Sequence, residues 1–366
     1  MTITKKSDVI NYINDLIETK DLNISVADML LYAFNCVDLI DINALNHFKK
    51  EEGLIEKDAI IKLLMEYFEM DMDNEENLYV IQNYFASIEE QNYQEYINNP
   101  YVKTIKAKKA RKGKYSLEYC SYQKYQLFPL DEISLIEPNF LELSKIGYFK
   151  QRYDYLALLE NDTIWMCITP NEINTMKPAI ENAKGKVLVL GLGLGYFPYM
   201  ISLKKEVSEI VVVEKDKQII DIFNTFIAPN IKNSKITVIN EDAYKYLNNS
   251  KEFDMVFADL WHNPEDGIFH YINLKKIEKE LNSIFIYWLE PSLKQMIRRC
   301  IITILQEHFE GYTQDNYLFA ENDFDKLINA IYRYIKDIQI ENINDVKNLL
   351  SDQFILSMIS SDGFQL

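Results

Sequence analysis

The chain reads as an α/β protein. A doubly wound, mostly parallel sheet is expected in its second half, preceded by a β-hairpin and an N-terminal helical domain and followed by a helical C-terminal extension. Three observations carry that expectation. From residue 186, short apolar runs ("KVLVLGL", "EIVVVEK", "KITVIN", "FDMVFADL", "SIFIYWLE") alternate with amphipathic stretches. Strands without polar alternation are buried on both faces, as in a parallel sheet covered by helices. Upstream, "RYDYLALLE" and "TIWMCIT" flank Asn161-Asp162, a pair suited to a two-residue hairpin turn. Residues 1 to about 100 repeat apolar positions at three- and four-residue spacing, the period of helices with one buried face.

Taken in order, the helical pieces are "SDVINYINDLIETK", "SVADMLLYAF", "KDAIIKLLMEYFEM" and "NLYVIQNYFASIEEQ", with Ser25 and Asp28 as a capping pair opening the second. No cluster there suggests chemistry, so a lid or dimerisation role is expected. Next, "YVKTIKAKKARKGKY" holds Lys103, Lys106, Lys108, Lys109, Arg111, Lys112 and Lys114. No aromatic residues interleave the run as single-strand binders require, so it reads as an exposed linker drawn to its own acidic protein. Residues 113–169 are expected to form linker and hairpin, with 1–112 as the helical domain and 170–366 as the main α/β domain. Thr169, Pro170 and Glu172 have the spacing of a capping box with proline at the first helical position. Later helices are expected to start near Tyr196, Asp216, Asp242 and Asp266, and the chain is mostly helical after Pro291.

Bulk composition narrows the function classes. At 366 residues, 48% hydrophobic, the chain has material for two buried cores. A formal net charge of −17 opposes nonspecific binding to nucleic acid or anionic membranes. Cys36, Cys120, Cys167 and Cys300 are far apart, and with four histidines they offer no metal-site spacing. No apolar stretch has the length of a membrane span, and the N-terminus has no signal-peptide core, so a cytoplasmic protein is expected. A small-molecule substrate is the expected partner rather than nucleic acid or membrane, and the sequence leaves a homo-oligomer open.

In an open α/β sheet ligands sit beyond the carboxyl ends of the strands, near the point where strand order reverses. After the first strand come Gly191, Gly193 and Gly195. Glu214 ends the second strand, 23 residues beyond Gly191, a spacing that suits an acid accepting from ribose hydroxyls. Asp242 and Ala243 follow the third strand, with Asp242 placed to accept from an adenine amino group, and Asp259 follows the fourth. The dinucleotide fingerprint GxGxxG requires a third glycine where this chain has Tyr196, which argues against NAD.

These pieces resemble a class I S-adenosylmethionine-dependent methyltransferase fold, Rossmann-like, and within it the spermidine synthase (aminopropyltransferase) branch. The matching segments are "VLVLGLGLG", "VVVEKD", "NEDAYKYL" and "FDMVFADL", with the hairpin and "TPNEINTM" before them. The resemblance implies S-adenosylmethionine, or its decarboxylated form, held by Gly191, Gly193, Gly195, Glu214, Asp242 and Ala243. It implies that Asp259 stands at the reacting centre. His262 is the nearest candidate proton shuttle, and Trp261 and Tyr196 are expected to wall the substrate pocket. The branch carries an acid where this chain has Leu194, and a second acid where it reads Leu260, Trp261, His262. Those departures make methyl transfer the first expectation, with aminopropyl transfer to an amine as the alternative and a non-catalytic ligand-binding or assembly protein as a third reading.

Overall fold

The computed structural model describes residues 1–232, 235–249 and 253–366. The N-terminal part is helical: α1 (Ser7–Asn35), α2 (Ile42–Glu51), α3 (Glu56–Tyr67) and α4 (Glu75–Asn83). The helix break expected at Ser25 does not occur, because both Ser25 and Asp28 lie inside the 29-residue α1. A Ser/Asp pair caps only where the preceding backbone leaves the helix. Here it has no reason to leave. Val9, Ile13 and Leu16 sit in one apolar core, and Val26, Leu30 and Ala33 in a second. A single rigid helix therefore bridges both. The second core is not purely N-terminal, since Tyr125, Leu127, Leu141, Ile146 and Tyr148 complete it. Its short segment Ile88–Glu90 pairs in parallel with Ile146–Tyr148.

A short helix, α5 (Pro100–Thr104), leads into a four-stranded antiparallel sheet. Its strands are β1 (Ala110–Lys112), β2 (Tyr115–Tyr122), β3 (Tyr153–Glu160) and β4 (Thr163–Cys167), in the order β4-β3-β2-β1. The β3–β4 turn falls at Asn161-Asp162 as expected, with φ of 49° and 66°, the left-handed values such a turn requires. The basic run is not a loose linker. Its centre is the edge strand β1, and it is tied to acids of the chain: Lys109 to Glu118 at 2.8 Å, Lys112 to Asp221 at 2.7 Å, and Lys114 to Glu160. Lysines on an edge strand also deter pairing with another chain.

Then α6 (Pro170–Asn182) leads to five strands: β5 (Gly185–Leu190), β6 (Val207–Glu214), β7 (Ile236–Asn240), β8 (Met255–Ala258) and β9 (Ile284–Tyr287). They form one sheet in the order β7-β6-β5-β8-β9, and every pairing is parallel. Between them lie α7 (Tyr196–Ser202), α8 (Ala243–Asn249) and α9 (Pro264–Glu278). Three expected helix starts hold: at Tyr196, at Lys217 directly after its cap Asp216, and after Asp242. The α9 start moves to Pro264, because Asn263 and Asp266 make a reciprocal capping box. The chain order reverses between β5 and β8, which opens the crevice above their carboxyl ends. The C-terminal α10 (Glu290–Phe309) packs on both α1 and α9, and α11 (Asp323–Ile335) packs on α10. Among the described residues no helix is long and apolar enough to cross a membrane.

Candidate active site

The crevice is a cavity of about 430 Å³. Its floor begins with the glycine loop after β5. Gly191 has φ of 98°, and a Cβ there would lie 2.0 Å from the backbone oxygen of Asp259. Glycine is required at this point because the loop presses against the end of β8. Gly193 passes beneath the hairpin, where a Cβ would meet Met166 Sδ at 2.8 Å. Gly195 does not line the cavity, and its missing side chain makes room for Phe223 instead.

Glu214, at the end of β6, accepts from the Leu192 N–H at 3.2 Å and from the Asp216 N–H at 2.8 Å. It thereby clamps the glycine loop, while burial raises its pKa. Asp242 caps α8 by accepting from the N–H groups of Tyr244 and Lys245 at 3.0 Å each, and it still borders the cavity with Ala243. Tyr244 in turn bonds His270 Nδ1 at 2.7 Å, and burial lowers the pKa of that imidazole.

Asp259 follows β8, with its carboxyl facing the cavity. Burial, reinforced by the charge of Glu214, pushes its pKa up to about 7. Glu172 also lines the cavity, and here the structure corrects the sequence reading. Thr169 does cap α6, weakly, by accepting from the Glu172 N–H at 3.5 Å. The carboxyl of Glu172 does not return the bond. It lies in the cavity, its pKa raised well above the ordinary value by burial and then by the charge of Asp259. Neither carboxyl has an ion-pair or hydrogen-bond partner among the described residues. Buried acids of this kind, set in a cleft, mark functional sites more often than structural ones.

Past Asp259 the wall is aromatic. Trp261 is 5% exposed and stacks over Gly267, where a Cβ would come within 2.6 Å of its ring. His262 Nδ1 is 2.6 Å from Asp266 Oδ2, and the imidazole abuts the Trp165 ring. Trp288 donates its indole N–H to Thr175 Oγ1 at 3.0 Å. Tyr196 forms part of the wall as expected, and its hydroxyl accepts from Asn99 Nδ2 at 3.0 Å. Beside it, the Tyr101 hydroxyl donates to the Leu194 carbonyl, so the segment around α5 braces the glycine loop.

The structure therefore brings together Gly191, Gly193, Glu214, Asp242, Ala243, Asp259, Trp261, His262 and Tyr196. Sequence reasoning missed Glu172, Trp165, Trp288 and the bracing pair Asn99 and Tyr101. Glu172 was masked by a satisfactory local explanation. A signal for the tryptophans was present, since the chain has only three and all of them line this cavity.

Residues 172–307 match the family model of the spermine/spermidine synthase domain. A polyamine aminopropyltransferase from Leptospira interrogans serogroup Icterohaemorrhagiae serovar copenhageni (strain Fiocruz L1-130) is 38% identical over 82 residues, covering 20% of this chain. The matched stretch spans only 16% of that relative's length. Among solved structures, a spermidine synthase from Thermotoga maritima aligns with TM-score 0.31 and 12% identity, covering 49% of this chain and 69% of that one. A spermidine synthase in complex with the transition state analogue AdoDATO aligns with TM-score 0.28 and 13% identity, over 49% and 68%. The domain match bears out the resemblance to the methyltransferase fold near its spermidine synthase branch. It favours the aminopropyltransferase alternative over methyl transfer.

Proposed function

We propose that the protein transfers an aminopropyl group from decarboxylated S-adenosylmethionine to a primary amine. The observation that carries this reading is the pair of carboxyls, Asp259 and Glu172, in the cavity with no ion-pair or hydrogen-bond partner among the described residues; of the two wall lysines, Lys114 is paired with Glu160 and Lys215 bonds neither acid. Isolated buried charge is costly, so burial favours the protonated form of both acids until a cation arrives. The decarboxylated donor carries a sulfonium and an ammonium and no carboxylate. Intact S-adenosylmethionine would bring a further negative group into the field of Asp259, Glu172 and Glu214.

The residues present fit such a donor. Glu214 remains able to accept from ribose hydroxyls with its spare lone pairs, and Asp242 stands beside Ala243 at the adenine end. Gly191 and Gly193 let the loop approach closely. The amine nitrogen attacks the methylene carbon next to sulfur. A C–N bond forms, the C–S bond breaks, and its electron pair stays on sulfur as a neutral thioether. The nitrogen's surplus proton passes to Asp259, whose pKa near 7 suits a base working at neutral pH. The protein's remaining task is alignment and exclusion of water.

Calorimetric titration tests the donor assignment. The expected order of affinity is decarboxylated S-adenosylmethionine above S-adenosylmethionine, with 5′-methylthioadenosine binding as product. Tighter binding of intact S-adenosylmethionine would restore the methyl-transfer reading.

A further inference from the structure

A second cavity lies outside the candidate active site. Its volume is about 710 Å³, larger than the active cavity and within the size range of small-molecule sites. It sits between α1, α9, α10 and α11, and the two cavities share no lining residue. Helix α9 separates them. Asp266 and His270, four residues apart, line the active cavity, whereas Glu265, Ile268 and Phe269 line the second. Side chains at such spacings share a helix face, so α9 turns one face to each cavity.

The walls are apolar and the mouth is open. Leu30 of α1, Ile268 and Phe269 of α9, Met296 of α10 and Leu327 of α11 supply the walls. Ile24 and Phe324, also in the lining, are 42% and 44% exposed, and Ala27, Glu265 and Asp323 of the lining are exposed as well. These five residues mark the mouth, on α1, α9 and α11. An apolar body placed inside takes the wall side chains out of water. The charges decide what that body carries. Buried Glu142 accepts from two nitrogens of the Arg299 guanidinium, so that pair is neutral. Lys20 donates to Gln306 Oε1 at 2.7 Å and lies 3.3 Å from Asp21. At the mouth, Glu265 has no ion-pair or hydrogen-bond partner among the described residues, and Asp323 shares an exposed pair with Lys326 at 2.7 Å. The mouth is therefore net negative even with Lys326 counted, which favours a cation there over an anion.

We propose that this cavity is a second binding site, for an apolar molecule that carries one cationic amine. Its apolar body lies along the walls between the four helices, and its ammonium stays at the mouth in the field of Glu265 and Asp323. An ammonium left at the mouth keeps most of its hydration, so burying the body does not require burying the charge. The site is independent of which group the active cavity transfers.

The test is calorimetry on the full chain at neutral pH and low salt, titrated with n-octylamine, n-octanol and n-octanoate, which share one body and differ in charge. Octylamine is expected to bind about three- to fivefold tighter than octanol, the size of one exposed ion pair, with octanoate weakest. Glu265→Gln should bring octylamine down to the octanol value. Ala27→Trp places a bulky ring at the mouth from an exposed helix position. It should abolish binding of octylamine and octanol while keeping a cooperative melting transition. That variant also tells this cavity from the acidic active cavity, which Ala27 does not line. Octanoate binding as tightly as octylamine, octylamine affinity unchanged in either variant, or no binding of octylamine would each overturn the proposal.

Discussion

Two buried acidic sites in this molecule are opposite in design. Glu142, 8% exposed, sits where α1 and α10 meet the strands between them. It accepts from Arg299 Nε at 2.8 Å and again from Arg299 Nη2, from Gln295 Nε2 at 2.8 Å, and from Asn23 Nδ2 at 3.4 Å. Its own N–H donates to Asn23 Oδ1 at 2.9 Å. Asp259 and Glu172, above the parallel sheet, have no such partners among the described residues. A buried charge that is fully partnered holds a fold in register, and removing one member exposes the rest to an uncompensated interior. A buried acid without partners gives the folded chain nothing by being ionised. It stands ready for a cation from outside.

The contrast can be broken by substitution. Glu142→Ala should lower stability by about 3–5 kcal/mol, measured by chemical denaturation, because Arg299 and Gln295 lose their shared acceptor. Donor affinity per folded molecule should be unchanged. Asp259→Asn should do the reverse, slowing aminopropyl transfer by about 100-fold or more without lowering the melting temperature. A melting temperature that falls as far as in Glu142→Ala would place Asp259 among the structural acids.

The pH dependence sharpens the same comparison. With its pKa raised to about 7, Asp259 keeps a proton in the folded chain that an unfolded aspartate releases near pH 4, roughly. Its contribution to stability is therefore greatest at the acidic end and is lost as pH rises through about 7. Donor affinity should run the other way, rising with pH to about 7 and then levelling, with both slopes removed by Asp259→Asn. Glu172→Gln should weaken donor binding by about tenfold, with little effect on stability, since it removes a charge partner of the ligand and no partner of the protein. Smallest of all, Lys112→Ala should change stability by less than about 1 kcal/mol, because its pair with Asp221 is largely exposed. A loss of several kcal/mol there would show the edge strand to be a true anchor.

What could be read ahead of the structure followed the reach of local interactions. The hairpin turn, the apolar strands and the acids ending them are set by neighbours within a few residues, so Glu214, Asp242 and Asp259 were legible as a constellation. Ser25 misled because capping competes with burial, and α1 is buried on both sides of that residue. Glu172 misled in the opposite way. Its helix position explained it well enough, but only the assembled cavity shows where its carboxyl lies.

The sequence by itself determined the succession of strands and helices from β5 to β9, the glycine loop at Gly191 and Gly193, and the acids at successive strand ends, because each depends on periodicity or local backbone chemistry. Only the tertiary structure decided that Glu172 faces Asp259, that three distant tryptophans line one cavity, and that Tyr101 braces the glycine loop. Those are contacts between segments far apart in the chain, where burial and the absence of a partner, properties of the assembled interior, decide what an acid or an indole can do.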